Sequence, residues 1–130
     1  MGIESAMILA GGLGTRFKEY TKDIPKPMVK ANGVPLLIHI INFYKTFGVK
    51  KFYILAGYKK EIIYDYFNEN ETQISKEDQI YDCGNNVNIQ IIDTGDHTLT
   101  GGRIKKGLEY IDENLTYLTY GDGISNVDLN

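Results

Sequence analysis

The chain has 130 residues, a formal net charge of −3, 42 % hydrophobic residues and one cysteine. Such a length and composition suit one small soluble domain or a part of a larger one. With no basic block and no long apolar run, the residues exclude a nucleic-acid surface, a membrane surface and a transmembrane span as readings. Cys83 has no partner for an internal disulfide, and no charged-then-apolar leader is visible, so a reducing cytoplasm is the expected setting.

In chain order, the apolar run 7–9 predicts a strand buried on both faces, as in a parallel sheet. Gly11, Gly12 and Gly14 then make a loop almost without side chains. Its backbone can approach a ligand closely, and successive N–H groups form an anion-binding concavity. Arg16 and Lys26 add positive charge, the first suited to bidentate phosphate contact and the second acting as a point charge. The stretch is not a P-loop, because no Gly-Lys pair follows. It is not a dinucleotide fingerprint either: counted from Gly12, the third glycine would fall on Phe17.

Beyond Pro35 the spacing of Leu36, Leu37, Ile40, Ile41, Tyr44 and Phe47 predicts an amphipathic helix that stops at Gly48. His39, at the margin of that face, reads as a packing residue. Residues 52–56 predict a second buried strand ended by Gly57. Residues 61–67 predict a short helix with Ile62, Ile63, Tyr66 and Phe67 on one face. The polar stretch 68–88 reads as a loop or excursion with a short strand near 79–81. Asn88–Asp93 predicts the third buried strand, followed by a second glycine-bearing loop at 94–102. Residues 103–112 predict a helix with Ile104, Leu108 and Ile111 inward, and 116–120 a fourth strand. Gly121-Asp122-Gly123 stands at its carboxyl end.

The alternation of strands and helices predicts an α/β fold, a Rossmann-like, mostly parallel sheet with alternating helices. Ligands of such sheets bind outside the carboxyl ends of the strands. The loops 11–16, 94–103 and 121–123 all fall there. Asp122 is suited to Mg²⁺, which prefers one or two carboxylates plus phosphate oxygens and water; the alternative is an Asp in a tight turn. Arg103 reads as opening a helix after two glycines, where an anion would be welcome, or as a surface residue. His97 either lines the site or bonds within its loop. Asp93 and Asp96 read as turn residues in preference to further metal ligands. Cys83, with no His-Asp pattern around it, is not expected to be a nucleophile.

GGLGTR followed at close range by PKP resembles the sugar nucleotidyltransferase family, the nucleotide-sugar pyrophosphorylases. DTGDHTLTGGRIKKGLEYI and LTYGDG are similar to the branch that uses CTP and glucose 1-phosphate, and FYILAGYKKEIIYDYF resembles its strand–helix unit. The resemblance implies transfer of a cytidylyl group to the sugar phosphate, with release of pyrophosphate. It places the nucleotide on Leu9, Ala10, Gly11, Gly12 and Leu13, and its phosphates on Gly14, Thr15 and Arg16. It puts Lys26 on phosphate, Thr98 and Arg103 on substrate, Gly121 at the nucleotide and Asp122 on Mg²⁺. Arg16 and Lys26 would carry the catalysis.

The family's catalytic domain is longer, and its later part supplies a second metal-binding carboxylate and much of the sugar pocket. Residues 1–130 therefore read as the incomplete, N-terminal nucleotide-binding part of such a domain. Alone, it is expected to bind CTP weakly without catalysing transfer. A homo-oligomer is a possible state of the full-length form, although the polar middle is shorter than the family's. The rival readings are a transferase using dTTP or UTP and a non-catalytic nucleotide-binding module. Loss of Arg16, Lys26 or Asp122 would mark the latter, and all three are present.

Overall fold

The structure, a computed structural model, describes residues 2–11, 24–95, 98–111 and 115–121. Among the described residues, strand β1 (Ser5–Ala10) is followed by a 3-10 turn at Lys26–Met28 and the small strands β2 (Lys30–Ala31) and β3 (Val34–Pro35). Helix α1 (Leu36–Lys45), β4 (Lys51–Ala56), α2 (Lys60–Asn70), β5 (Thr72–Ser75) and β6 (Ile80–Asp82) follow. Then come β7 (Asn88–Asp93), α3 (Thr100–Leu108) and β8 (Tyr117–Tyr120). Six strands form one sheet in the order β5-β6-β7-β4-β1-β8, and β2 and β3 make a separate two-stranded ribbon. The pairs β7–β4, β4–β1 and β1–β8 are parallel, while β5 and β6 join as an antiparallel hairpin on β7.

All six residues of β1 are buried, because the strand lies second from one edge with both faces covered. Ala6, Ile8 and Ala10 face the larger cluster, where Leu37, Ile40 and Ile41 of α1 and Ile63 and Phe67 of α2 meet Phe52 and Ile54 of β4. Met7 and Leu9 face a smaller cluster with Tyr53, Leu55 and Ile92, packed against Ile104 and Ile111. Gly107 brings α3 onto this face. A Cβ there would stand 2.8 Å from Leu55 Cδ2 and 3.0 Å from Met7 Sδ, so only glycine lets the helix rest so low on β1 and β4.

The structure corrects several expectations. The polar middle holds two strands, not one, and they extend the sheet beyond β7. Helix α1 ends at Lys45, so Phe47 lies in the following turn and is exposed; its ring meets Phe43 edge-on, with centroids 5.0 Å apart. Helix α3 starts three residues before Arg103 and ends at Leu108. It rests on the sheet through Arg103 and Gly107, which leaves Leu108 exposed. His39 packs as expected, its Nε2 lying 2.7 Å from the carbonyl oxygen of Ala31.

Cys83 sits half-buried beside the hairpin, and burial first, then the neighbouring Glu71, push its thiol up to about 12. A raised thiol pKa keeps the sulfur neutral at physiological pH, and the thiolate is the nucleophile. Alkylation of Cys83 at pH 8 is expected to run at least about a hundredfold slower than that of free cysteine and to recover in denaturant. Equal rates in the folded and unfolded chain would show the thiol to be open.

Candidate functional site

The described candidate residues gather at the carboxyl ends of β1, β7 and β8. Leu9 and Ala10 close β1 and are buried, and Gly11 follows them. Gly121, just past β8, donates its N–H to the carbonyl of Leu9 at 2.7 Å. It also lies against Pro27: a Cβ on Gly121 would meet Pro27 Cγ at 2.9 Å. Three separated pieces of sequence, the end of β1, the Lys-Pro-Met turn and the end of β8, are thus held in one place. Lys26, half-buried, begins that turn.

Thr98 stands in the loop between β7 and α3, and its hydroxyl donates to the carbonyl of Thr94. Arg103 belongs to the second turn's start of α3 and not to its first residue, as the sequence suggested. The residue is only 4 % exposed, and its guanidinium lies against Gly11 and Gly57. It donates to Thr94 Oγ1 at 2.6 Å, to the Gly95 carbonyl at 2.7 Å and to the Gly11 carbonyl at 2.7 Å. These described bonds end on protein, so they shape the site from below. Asp93 behaves as a turn residue: its Oδ1 accepts the N–H of Gly95 at 3.0 Å, and Oδ2 lies 3.9 Å from Lys60 Nζ.

Gly12, Leu13, Gly14, Thr15, Arg16, His97, Asp96 and Asp122 lie outside the described residues. Among the described residues, no group of three or more His, Cys, Asp and Glu could hold a metal ion.

Three residues of this region were not legible as site residues in the sequence. Thr94 is fully buried and uses its N–H, hydroxyl and carbonyl, the first two both donating to Ala56 O at 2.8 Å. Gly57 faces the Arg103 guanidinium, and Lys106 donates to the Thr94 carbonyl at 3.0 Å. The signal available was Gly57 itself, a glycine immediately after a buried strand, which reads equally well as a simple strand end.

A mostly parallel sheet with helices on its faces defines an α/β protein of the kind that takes ligands outside the carboxyl ends of its strands. The chain belongs to the nucleotidyl transferase family, whose profile matches residues 5–125. It is 40 % identical to glucose-1-phosphate cytidylyltransferase of Salmonella typhimurium over 95 % of this chain and 52 % of that protein. It is 41 % identical to the probable glucose-1-phosphate cytidylyltransferase of Bacillus subtilis over the same shares. The crystal structure of HddC from Yersinia pseudotuberculosis complexed with GMP-PN superimposes with a TM-score of 0.69 at 28 % identity, covering 98 % of this chain and 54 % of that one. The chain spans about half the length of the curated relatives it matches. Nucleotidyltransferases of this family generally use a divalent metal. No helix among the described residues is long and apolar enough to cross a membrane.

Proposed function

We propose that the chain is the N-terminal, nucleotide-binding part of an enzyme that transfers a cytidylyl group from CTP to glucose 1-phosphate. The observation that carries this reading is the meeting of Gly11, the Lys26 turn and Gly121 at one point, fixed by the Gly121–Leu9 hydrogen bond and the Pro27 contact. The 40 % identity to glucose-1-phosphate cytidylyltransferase over nearly the whole chain supports the choice of nucleotide and sugar. The single cysteine, with no partner for an internal disulfide, suits a reducing cytoplasm.

In this reading the segment 9–13 holds the nucleotide and Gly14, Thr15 and Arg16 its phosphates. Lys26 draws the α-phosphate and the sugar phosphate together, and Arg16 stabilises the departing pyrophosphate. Thr98 and Arg103 belong to the wall on the substrate side. A phosphate oxygen of glucose 1-phosphate attacks the α-phosphorus in line; one P–O bond forms, the bond to the β-phosphate breaks, and pyrophosphate leaves. The attacking phosphate is already ionised near pH 7, so neither a protein nucleophile nor a general base is required. Positioning and charge neutralisation do the work. Asp122 would hold Mg²⁺, which supplies positive charge to the phosphates when bound.

Titration of the chain with CTP, dTTP, UTP, ATP and GTP in the presence of Mg²⁺ tests the reading. CTP is expected to bind about tenfold or more tightly than the others, the discrimination of a few lost hydrogen bonds. Tighter binding of dTTP or UTP would keep the reaction class and remove the base. Binding of none of the five would remove the nucleotide site. HddC, crystallised with GMP-PN, makes a guanine preference the outcome that would point to a different branch.

A further inference from the structure

The ends of three strands meet on one buried guanidinium. Arg103 Nη2 donates to the carbonyl of Gly11, just past β1, and Nη1 donates to the carbonyl of Gly95 and the hydroxyl of Thr94, just past β7. That hydroxyl passes its own hydrogen to the carbonyl of Ala56, the last residue of β4. Arg103 therefore reaches β1 and β7 directly and β4 through Thr94. A planar fork of donors can hold acceptors spread in this way, whereas an ammonium presents its donors from a single point.

Space for the guanidinium is made by glycine. A Cβ on Gly57 would lie 2.5 Å from the Gly95 carbonyl oxygen and 3.0 Å from Arg103 Cζ. A Cβ on Gly11 would lie 2.5 Å from the same Cζ. The carbonyl of Thr94 is also fully engaged, by Thr98 and by Lys106. Burying a guanidinium costs several kcal/mol of hydration, and such a charge is kept where its bonds are well made. Here those bonds hold loops together at the strand ends; they are not spent in the middle of the core.

We propose that Arg103, Thr94 and Gly57 form a positioning node that fixes the spacing between the loops after β1 and β7. Thr94 and Gly57 act on the ligand through those loops and do not touch it. The ligand part of this inference rests on the nucleotide reading above, whereas the loop part does not.

The test compares Thr94→Val, which keeps the shape and removes the hydroxyl, with Thr94→Ser, which restores it, and with Arg103→Lys. Amide hydrogen exchange is followed in each chain. Tyr58 N–H, which bonds the Gly11 carbonyl at 3.4 Å, and Gly95 N–H report the loops; the amides of Ile8 and Ile54 report the sheet. Thr94→Val and Arg103→Lys are expected to raise exchange at Tyr58 and Gly95 about tenfold, the worth of one buried hydrogen bond, and leave Ile8 and Ile54 unchanged. Thr94→Ser returns the reference pattern. No change at the loops, or an equal rise across the whole sheet, would overturn the node.

CTP titration in the presence of Mg²⁺ on the same chains is expected to show about tenfold weaker binding for Thr94→Val and recovery for Thr94→Ser. Loosened loops with unchanged CTP affinity would overturn the positioning role. A reference chain that binds no CTP would defeat the nucleotide reading, and the exchange result would still decide the node.

Discussion

Asp122→Asn, made in a chain of the relatives' full length, is expected to lower Mg²⁺-dependent nucleotidyl transfer about 10²–10³-fold, the scale of losing one preorganised electrostatic partner. Asparagine keeps the size and one oxygen of the carboxylate but loses the anionic charge that a hard cation needs. In the proposed reading the metal arrives with its nucleotide, so in the 130-residue chain the same change is expected to abolish the Mg²⁺-dependent gain in CTP affinity while leaving the weaker, metal-free binding in place. Circular dichroism accompanies both measurements. Native spectra with undiminished turnover and undiminished Mg²⁺ response would make Asp122 a turn residue.

The second large effect is on stability. Ile54 is fully buried at the centre of β4, with β1 on one side and β7 on the other, and faces the larger cluster. Ile54→Ala removes apolar surface and leaves a cavity that neighbouring strands cannot close without breaking register, a cost of about 2–5 kcal/mol. Domains of this kind are stable by about 5–15 kcal/mol, so a large share of the folding free energy is at stake. Leu118→Ala on the exposed side of β8 is the control, expected within about 0.5 kcal/mol of the parent. Urea unfolding midpoints decide between them. Equal midpoints for the two variants would mean that the core lies elsewhere.

Much of the fold was legible because its central strands, β1 and β4, are buried on both faces. Residues 7–9 and 52–56 read as near-continuous apolar runs and Asn88–Asp93 as an alternation of isoleucines with polar residues, and all three are parallel strands. The hairpin was only half legible. Thr72, Gln73, Ser75 and Asp82 look like loop residues, and the fully buried Tyr81 is the one strong strand signal among them. In α3, Gly101 and Gly102 hid the first turn, since intrinsic preference argues against helix there. The end-of-strand location of the candidate site followed from glycine spacing and the alternation of elements. The role of Thr94 did not, because a buried threonine bonded to four neighbours looks, in sequence, like any other strand-end threonine.

The two margins of the sheet differ in character. At one, β5 is short and polar and its pairing with β6 shifts register between Gln73 and Ser75, features that discourage a further strand. At the other, β8 pairs with β1 and turns Leu118 and Tyr120 outward, in register with Met7 and Leu9. Among the described residues the sheet thus has a finished border at β5 and an edge at β8 without the polar sequence or the register shift, and the candidate site stands beside the latter. A strand seated beside β8, from a longer polypeptide or from a second copy, would meet neither of those features that guard β5. The same addition that extends the sheet would raise a wall next to Gly121.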